Sequence, residues 1–254
     1  MTILNDVDVI IPDWPAPPGV GCLVTTRRGG VSQGVFSSLN LGNHVGDNPE
    51  AVAANRKIVE QRIGGLPVWL NQVHGTRAID TADYQRADAP VDADAAYSRR
   101  SGAVCTVMTA DCLPVLLCDA AGTVVAAAHT GWRGLLAGVL ESTIAAMEVP
   151  GCSLMAWLGP AIGPRAFEVG GEVRAAFVGA DSKAGLAFQP AAEGKWLADI
   201  YQLARQRLAG QGVDRVFGGN LCTVTDEARF FSYRRDGQTG RMASMIWLKP
   251  ATRV

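Results

Sequence analysis

TVVAAAHTGWRGLLAGVLESTIAAMEVPGCSLMAWLG, residues 123–159, decides the fold class. It opens on an apolar run that His129 closes. Apolar residues then recur at helical spacing, as Trp132, Leu135, Leu136, Val139, Leu140, Ile144 and Met147, before a second apolar run at 154–159. Strand, helix and strand with short joints make a βαβ unit, so at least part of the sheet is expected to be parallel with a right-handed crossover.

Working outward, GAVCTVMTA and PVLLCD are two Val- and Leu-rich runs suited to strands buried on both faces. PVWLNQVHG, further upstream, looks like a strand that ends in polar residues. NPEAVAANRKIVEQRIGG has a capping Asn48, Pro49 at the first helical position and a glycine stop, and Val52, Val59 and Ile63 share one face, so it predicts a helix. Downstream, a helix is expected over 196–208 and strands near 213–217, 229–234 and 244–248. With no repeats, no low-complexity tract and no internal linker, the expectation is one α/β domain over 1–254, a mixed β-sheet with helices packed on both faces.

The chain has 254 residues, 48% hydrophobic and 19% charged, the balance of a soluble globular protein. A net charge of −1 gives no basic excess for nucleic acid and no polybasic segment for anionic membrane, so the expected partner is a small molecule. The start, MTILNDVDVIIPDWPAPPG, has no basic residue before an apolar stretch broken by Asp6, Asp8 and Asp13; it resembles neither a signal peptide nor a span, and a cytoplasmic protein is expected. Six scattered cysteines without a CxxC pair are then expected to be free thiols, most of them small buried hydrophobes.

Ligands in open α/β sheets bind beyond the carboxyl ends of strands, and three residues fit that place: His74 after VWLNQV, Cys112 after AVCTVMTA, and His129 after TVVAAA. Two imidazoles and a thiolate suit zinc, and three protein ligands leave a fourth position open, as catalytic sites require. The gaps of 38 and 17 residues are unlike a zinc finger, so spacing alone leaves a competing reading: His129 activating Cys112 as a nucleophile, which has no need of His74. Asp111 is a weak candidate to handle a proton, orient a ligand or cap a turn. In VDADAAYS, Asp92 and Asp94 either solvate a strand edge, or one of them orients a ligand histidine or accepts a substrate amine.

Arg133, in TGWRG at a helix start, can clamp a phosphate or carboxylate. Arg27 and Arg28 beside two glycines read as a hairpin turn or as an anion site; Arg234 and Arg235 in FFSYRRDGQTGR carry the same ambiguity. His44, in LGNHVGD, is either a surface or a pocket residue.

TTRRGGVS, SLNLGNHVGDNPEAVAANR, NQVHG, TADCLPVLL, AAAHTGWRG, GPAIGPRAFEVGGEV and FFSYRRDGQTGRMAS resemble, in order and spacing, the bacterial YfiH-like proteins. That family was long labelled a multicopper polyphenol oxidase or laccase domain, and its members are described as purine nucleoside phosphorylases that also deaminate adenosine. The resemblance implies a three-layer fold akin to the catalytic domain of cytotoxic necrotizing factor and a zinc, with copper as the alternative, on His74, Cys112 and His129. It also implies catalytic roles for these three and Asp111, and substrate contacts from Arg27, Asn40, His44, Gln72 and Arg133. Adenosine, inosine, guanosine and methylthioadenosine with phosphate are the implied small-molecule partners, without nucleic acid or membrane, acting on a monomer or homodimer. Two positions depart from the family pattern: Thr130 stands where Ala is common, and ADAAYS replaces ADALVT, which bears on the pocket wall and on no ligand.

A multicopper oxidase needs a histidine-rich trinuclear cluster besides a His2Cys copper, and three histidines in all cannot furnish both, so laccase chemistry is not expected. Two other functions compete with the nucleoside one. One is a metal-independent cysteine hydrolase or amidase acting on cell-wall precursor peptides. The other is a non-catalytic metal-binding module.

Overall fold

Residues 8–84 and 90–250 are described by a computed structural model. β1 (Val9–Ile10) and β2 (Val20–Thr25) precede α1 (Pro49–Ile63), and β3 (Leu66–Val68), β4 (Ala78–Asp80), β5 (Ala95–Ser98), β6 (Ala103–Thr109), β7 (Leu113–Asp119) and β8 (Val125–Thr130) follow. The second half runs α2 (Trp132–Ala137), α3 (Val139–Met147), β9 (Leu154–Leu158), β10 (Glu168–Val169), α4 (Gly171–Ala180), β11 (Phe188–Pro190), β12 (Trp196–Ala198) and α5 (Ile200–Gly210). β13 (Arg215–Gly218), α6 (Tyr233–Asp236) and β14 (Met242–Leu248) complete it.

α1 forms where its caps place it. The Asn48 side chain accepts from the N–H groups of Glu50 and Ala51, and Gly64 ends the helix at φ 64°. The segment after His129 is helical as expected but broken in two. Gly138, at φ 103°, ends α2 and starts α3, a backbone state that a side chain would strain.

The α/β class with helices on the outer faces holds, while the strands divide between two stacked sheets rather than one. One sheet has the order β1-β2-β14-β6-β3 and the other β13-β9-β7-β8-β5-β4; a small third sheet joins β10, β12 and β11. Alternation along each strand shows the stacking. On β6, Val104 and Met108 pack toward α1, whereas Cys105 and Val107 face the other sheet. On β7, Leu116 and Cys118 meet that same inner layer, whereas Val115 and Leu117 pack with α3 residues Val139, Leu140, Ile144 and Met147. A strand covered on both faces has to be apolar throughout, which is why these runs lack a polar alternation.

β8 and β9 are both antiparallel to β7, which lies between them, so they point the same way, and β13 pairs parallel with β9. The parallel component expected of 123–159 is therefore present, with β7 inserted between its two strands.

Three local expectations fail. The stretch 229–234 is not a strand: Phe230 and Phe231 are buried by Ala110 and Met242, and Ser232 then caps the short α6 by accepting from Arg235 N. Two adjacent buried aromatics imitate a strand in sequence when they plug a loop. Residues 196–198 form β12, and the helix begins only at Ile200, behind the Asp199 cap. In PVWLNQVHG the ladder with β6 stops at Val68, and among the described residues an isolated bridge between Asn71 and Asp92 follows.

Candidate metal centre and active-site cavity

The three candidate ligands come from both sheets. His74 follows β3 of the first sheet, Cys112 lies in the turn that carries the chain from β6 in the first sheet to β7 in the second, and His129 sits near the end of β8. Their ligand atoms all lie within 4.8 Å of one another, and Cys112 Sγ is 3.6 Å from His74 Nε2. Tetrahedral zinc with ordinary bond lengths would hold a nitrogen and a sulfur about 3.6 Å apart, so the donor set and its spacing fit that ion. His129 is buried, Cys112 half-buried and His74 exposed, which leaves the cluster accessible from one side.

Asp94 organises this cluster. The carboxylate is fully buried, Oδ1 is 2.8 Å from His129 Nδ1, and it accepts backbone N–H groups from Val73, His74 and Gly75 at 3.2, 2.9 and 2.6 Å. The bond at Nδ1 leaves Nε2 of His129 to face the cluster. The bonds to residues 73–75 hold His74 at φ 59°, a left-handed conformation costly for a β-carbon-bearing residue. One carboxylate thus fixes one ligand through its ring and another through its backbone. Burial alone would raise the Asp94 carboxyl, but the His129 bond and the backbone donors outweigh it and hold it below the usual range.

The same balance acts on the ligands. Burial would push the Cys112 thiol up; His129 and His74 beside it bring it well down. Burial would lower His129, whereas Cys112 and Asp94 raise it. The centre favours a thiolate beside a cationic or metal-bound imidazole.

Gly131 shows how closely the helix start approaches. A Cβ there would lie 2.7 Å from His74 Cδ2 and 3.0 Å from Cys112 Sγ. Gly134 brings α2 against the 74–75 backbone, where a Cβ would meet Gly75 O at 3.0 Å. The two glycines of TGWRG are thus contact positions of the cluster. Thr130, one of the departures from the family pattern, is buried and donates its hydroxyl to Leu113 O at 2.6 Å, tying β8 to β7 beside both ligands.

A cavity of about 420 Å³ opens over the cluster. His44, Gln72, Asp111 and Arg133 line it with the three ligands, as do Met108, Trp132, Ile162, Phe167, Tyr233, Arg234 and Arg241. Gln72 is locked to the β6 backbone, donating to Met108 O at 2.8 Å and accepting from Met108 N at 2.7 Å. The Arg133 guanidinium stacks 4.4 Å over Trp132. His44 is held below its usual range by burial and then by the nearby Arg241 and Arg56.

Of the five implied substrate contacts, Arg27 and Asn40 fall outside the lining, as do Arg28, Asp92 and Arg235. Arg27 donates to Ser37 O and Glu227 O and stacks over Phe231. Asn40 is buried and acts one step back: its Oδ1 accepts from Arg241 N, while its amide donates to Gly42 O and Asp47 Oδ2. Asp111 carries no ligand bond. Its oxygens accept from the Thr223 hydroxyl and Arg234 N, both at 2.6 Å. Arg241, Met108 and Phe167 gave no functional signal in sequence, because a lone Arg or an apolar residue at a strand end looks the same lining a pocket or a core.

A family model described as multi-copper polyphenol oxidoreductase laccase matches residues 21–249. A protein of Pseudomonas aeruginosa named a purine nucleoside phosphorylase is 58% identical over 241 residues, 94% of this chain and 98% of its own length. Purine nucleoside phosphorylase YfiH of Escherichia coli is 57% identical over 242 residues, again 94% and 98%.

The chain belongs to the YfiH-like family.

Solved structures agree. A protein of Neisseria meningitidis described as a DUF152 family member is 56% identical, with a TM-score of 0.93 over 95% of this chain and 99% of its own. YlmD of Geobacillus stearothermophilus is 29% identical, with a TM-score of 0.86 over 93% and 94%. Among the described residues of this YfiH-like chain, no helix is long and apolar enough to cross a membrane.

Proposed function

We propose that this YfiH-like chain is a zinc-dependent purine nucleoside phosphorylase that also deaminates adenosine, working on one nucleoside at a time in the cavity above His74, Cys112 and His129. The observation that carries the proposal is the joining of two unlike linings in one cavity. Trp132, Phe167, Ile162 and Met108 give an apolar wall suited to a flat base, and Arg133, Arg234 and Arg241 give cations suited to phosphate. Relatives at 57–58% identity that carry the phosphorylase name support the same reading.

In phosphorolysis an oxygen of hydrogen phosphate bonds to C1′ of the ribose as the C1′–N9 bond breaks; the pair of the broken bond leaves with the purine, which takes up a proton equivalent to the one the phosphate gives up. Arg133 and Arg241 hold the anion. Arg241 is itself held by donation to Thr239 O and Gly240 O, so its charge is placed before substrate arrives. Bound zinc would supply Lewis acidity for polarising an oxygen of water or substrate. Asp94 keeps the His129 ring and the His74 backbone oriented for the metal. Oxidase chemistry of the multicopper type is not proposed, since the chain has three histidines.

Asp94, His129 and Cys112 also stand in the order of a thiol-hydrolase triad, and this geometry is the one observation that favours the metal-independent reading. The test separates them. Metal-replete protein should release hypoxanthine from inosine only with phosphate, and ammonia from adenosine, and both should vanish on chelation and in His74→Ala. Amide hydrolysis that survives chelation and His74→Ala would establish the triad instead, and absence of both nucleoside products would end the nucleoside reading.

A further inference from the structure

Asp111 borders the cavity at φ 94°, immediately before Cys112, and its polar atoms tie down three other segments. Oδ2 accepts from Arg234 N, at the start of α6. Oδ1 accepts from the Thr223 hydroxyl, a fully buried residue whose own N–H is bonded to Ala161 O. The Asp111 carbonyl accepts from Ile162 N at 2.9 Å. The segments so joined carry cavity-lining side chains: Ile162 directly, Tyr233 and Arg234 on α6, and Phe167 beneath the Arg234 guanidinium, 5.7 Å from it. Arg234 completes the tie by donating through Nη1 to Glu168 O at 3.1 Å.

We propose that Asp111 is a positioning residue for substrate binding, a strut that fixes the wall formed by Ile162, Phe167, Tyr233 and Arg234 relative to Cys112, and neither a metal-orienting group nor a proton carrier. The proposal rests on the nucleoside reading for its substrate. Each carboxylate oxygen already accepts a short bond from a protein donor, and none of those donors belongs to His74, Cys112 or His129. A group anchored on the protein side of the cavity sets where the substrate sits, and loosening it costs affinity before it costs chemistry. The left-handed backbone suits the role: it turns the chain sharply between the two sheets, so that Asp111 reaches the 223 and 234 segments while Cys112 reaches the histidines.

Thr223→Val removes the hydroxyl at constant shape and leaves Asp111 in place; Thr223→Ser restores it. Asp111→Asn unpairs one of the two donors. For metal-replete protein, Thr223→Val and Asp111→Asn should raise the KM for inosine about tenfold with kcat within about threefold, metal content should stay at the wild-type value, and Thr223→Ser should behave as wild type. Hydrogen exchange of the backbone amides at 233–236, which needs no substrate, should quicken in Thr223→Val and Asp111→Asn. Unchanged exchange and unchanged KM would overturn the strut. So would a fall in kcat alone that erases one limb of the pH–rate profile, the mark of a proton carrier, and so would loss of metal. A wild type that turns over no nucleoside while exchange still quickens in the variants refutes the substrate assigned to the wall and leaves the strut; normal turnover with unchanged exchange and KM refutes the strut alone.

Discussion

Asp94 and Asp111 are both buried and both accept backbone N–H groups, but only Asp111 lines the cavity, and their donors belong to different segments. Asp94 gathers the 73–75 backbone and the His129 ring, which are the histidine side of the centre. Asp111 gathers Thr223 and Arg234, of which Arg234 lines the cavity beside Tyr233. Cys112 stands between them in the crossover turn from one sheet to the other. What a buried carboxylate holds in place follows from its donors: Asp94 orients two candidate metal ligands, and Asp111 joins segments of the cavity wall.

The largest expected effect removes the element common to both walls. Cys112→Ser should lose its metal on dialysis and lower inosine phosphorolysis by about a thousandfold or more, as elemental analysis and a hypoxanthine assay would show. A variant that keeps both metal and turnover would detach Cys112 from the centre altogether.

Gly131→Ala is the next break. Its Cβ would press on His74 Cδ2 and Cys112 Sγ, its nearest neighbours. Metal affinity should fall by about tenfold or more while the KM of the metal-saturated variant changes little, measured by competition with a chromogenic chelator and by steady-state kinetics. A large KM change with intact metal affinity would place Gly131 on the wrong side of the comparison.

Asp119, at the far end of β7, is the control for both. It is buried and accepts from Thr123 N, Thr123 Oγ1 and Val124 N, with no part of the cavity near its donors. Burial works to raise its carboxyl, but the donors of Val124 and Thr123 win and hold it below the usual range. A carboxyl depressed in the folded state adds stability that is present above its unfolded pKa of about 3.9 and is lost as pH falls through the folded value. Asp119→Asn should therefore cost about 1–2 kcal/mol at pH 7, with the difference shrinking below about pH 3.9, by urea denaturation. Kinetic constants and metal affinity should not move.

Much of this is legible in the residues. Asn48, Pro49 and Gly64 bound α1 because caps are local chemistry, and the buried strands announce themselves as unbroken apolar runs. Cys112 and His129 are recognisable as strand-end residues, His74 stands six residues beyond the end of β3, and the structure brings the three together. Stacking of two sheets is not legible, because Cys105 and Val107 on one strand and Leu116 and Cys118 on another look like any two-faced core. Asp94 reads equally as edge solvation until His129 is seen beside it, a contact between residues 35 apart in the chain. Arg27, conspicuous beside two glycines, turns out to hold loop carbonyls, whereas Arg241, inconspicuous in sequence, lines the cavity.

The most direct measurement is a metal titration of metal-free wild type, Asp94→Asn and Asp111→Asn, with zinc competed against a chromogenic chelator at fixed pH. Asp94→Asn should bind zinc about 10- to 100-fold more weakly, while Asp111→Asn should stay within about threefold of wild type. Equal losses in both variants, or a loss in Asp111→Asn alone, would contradict that division of roles.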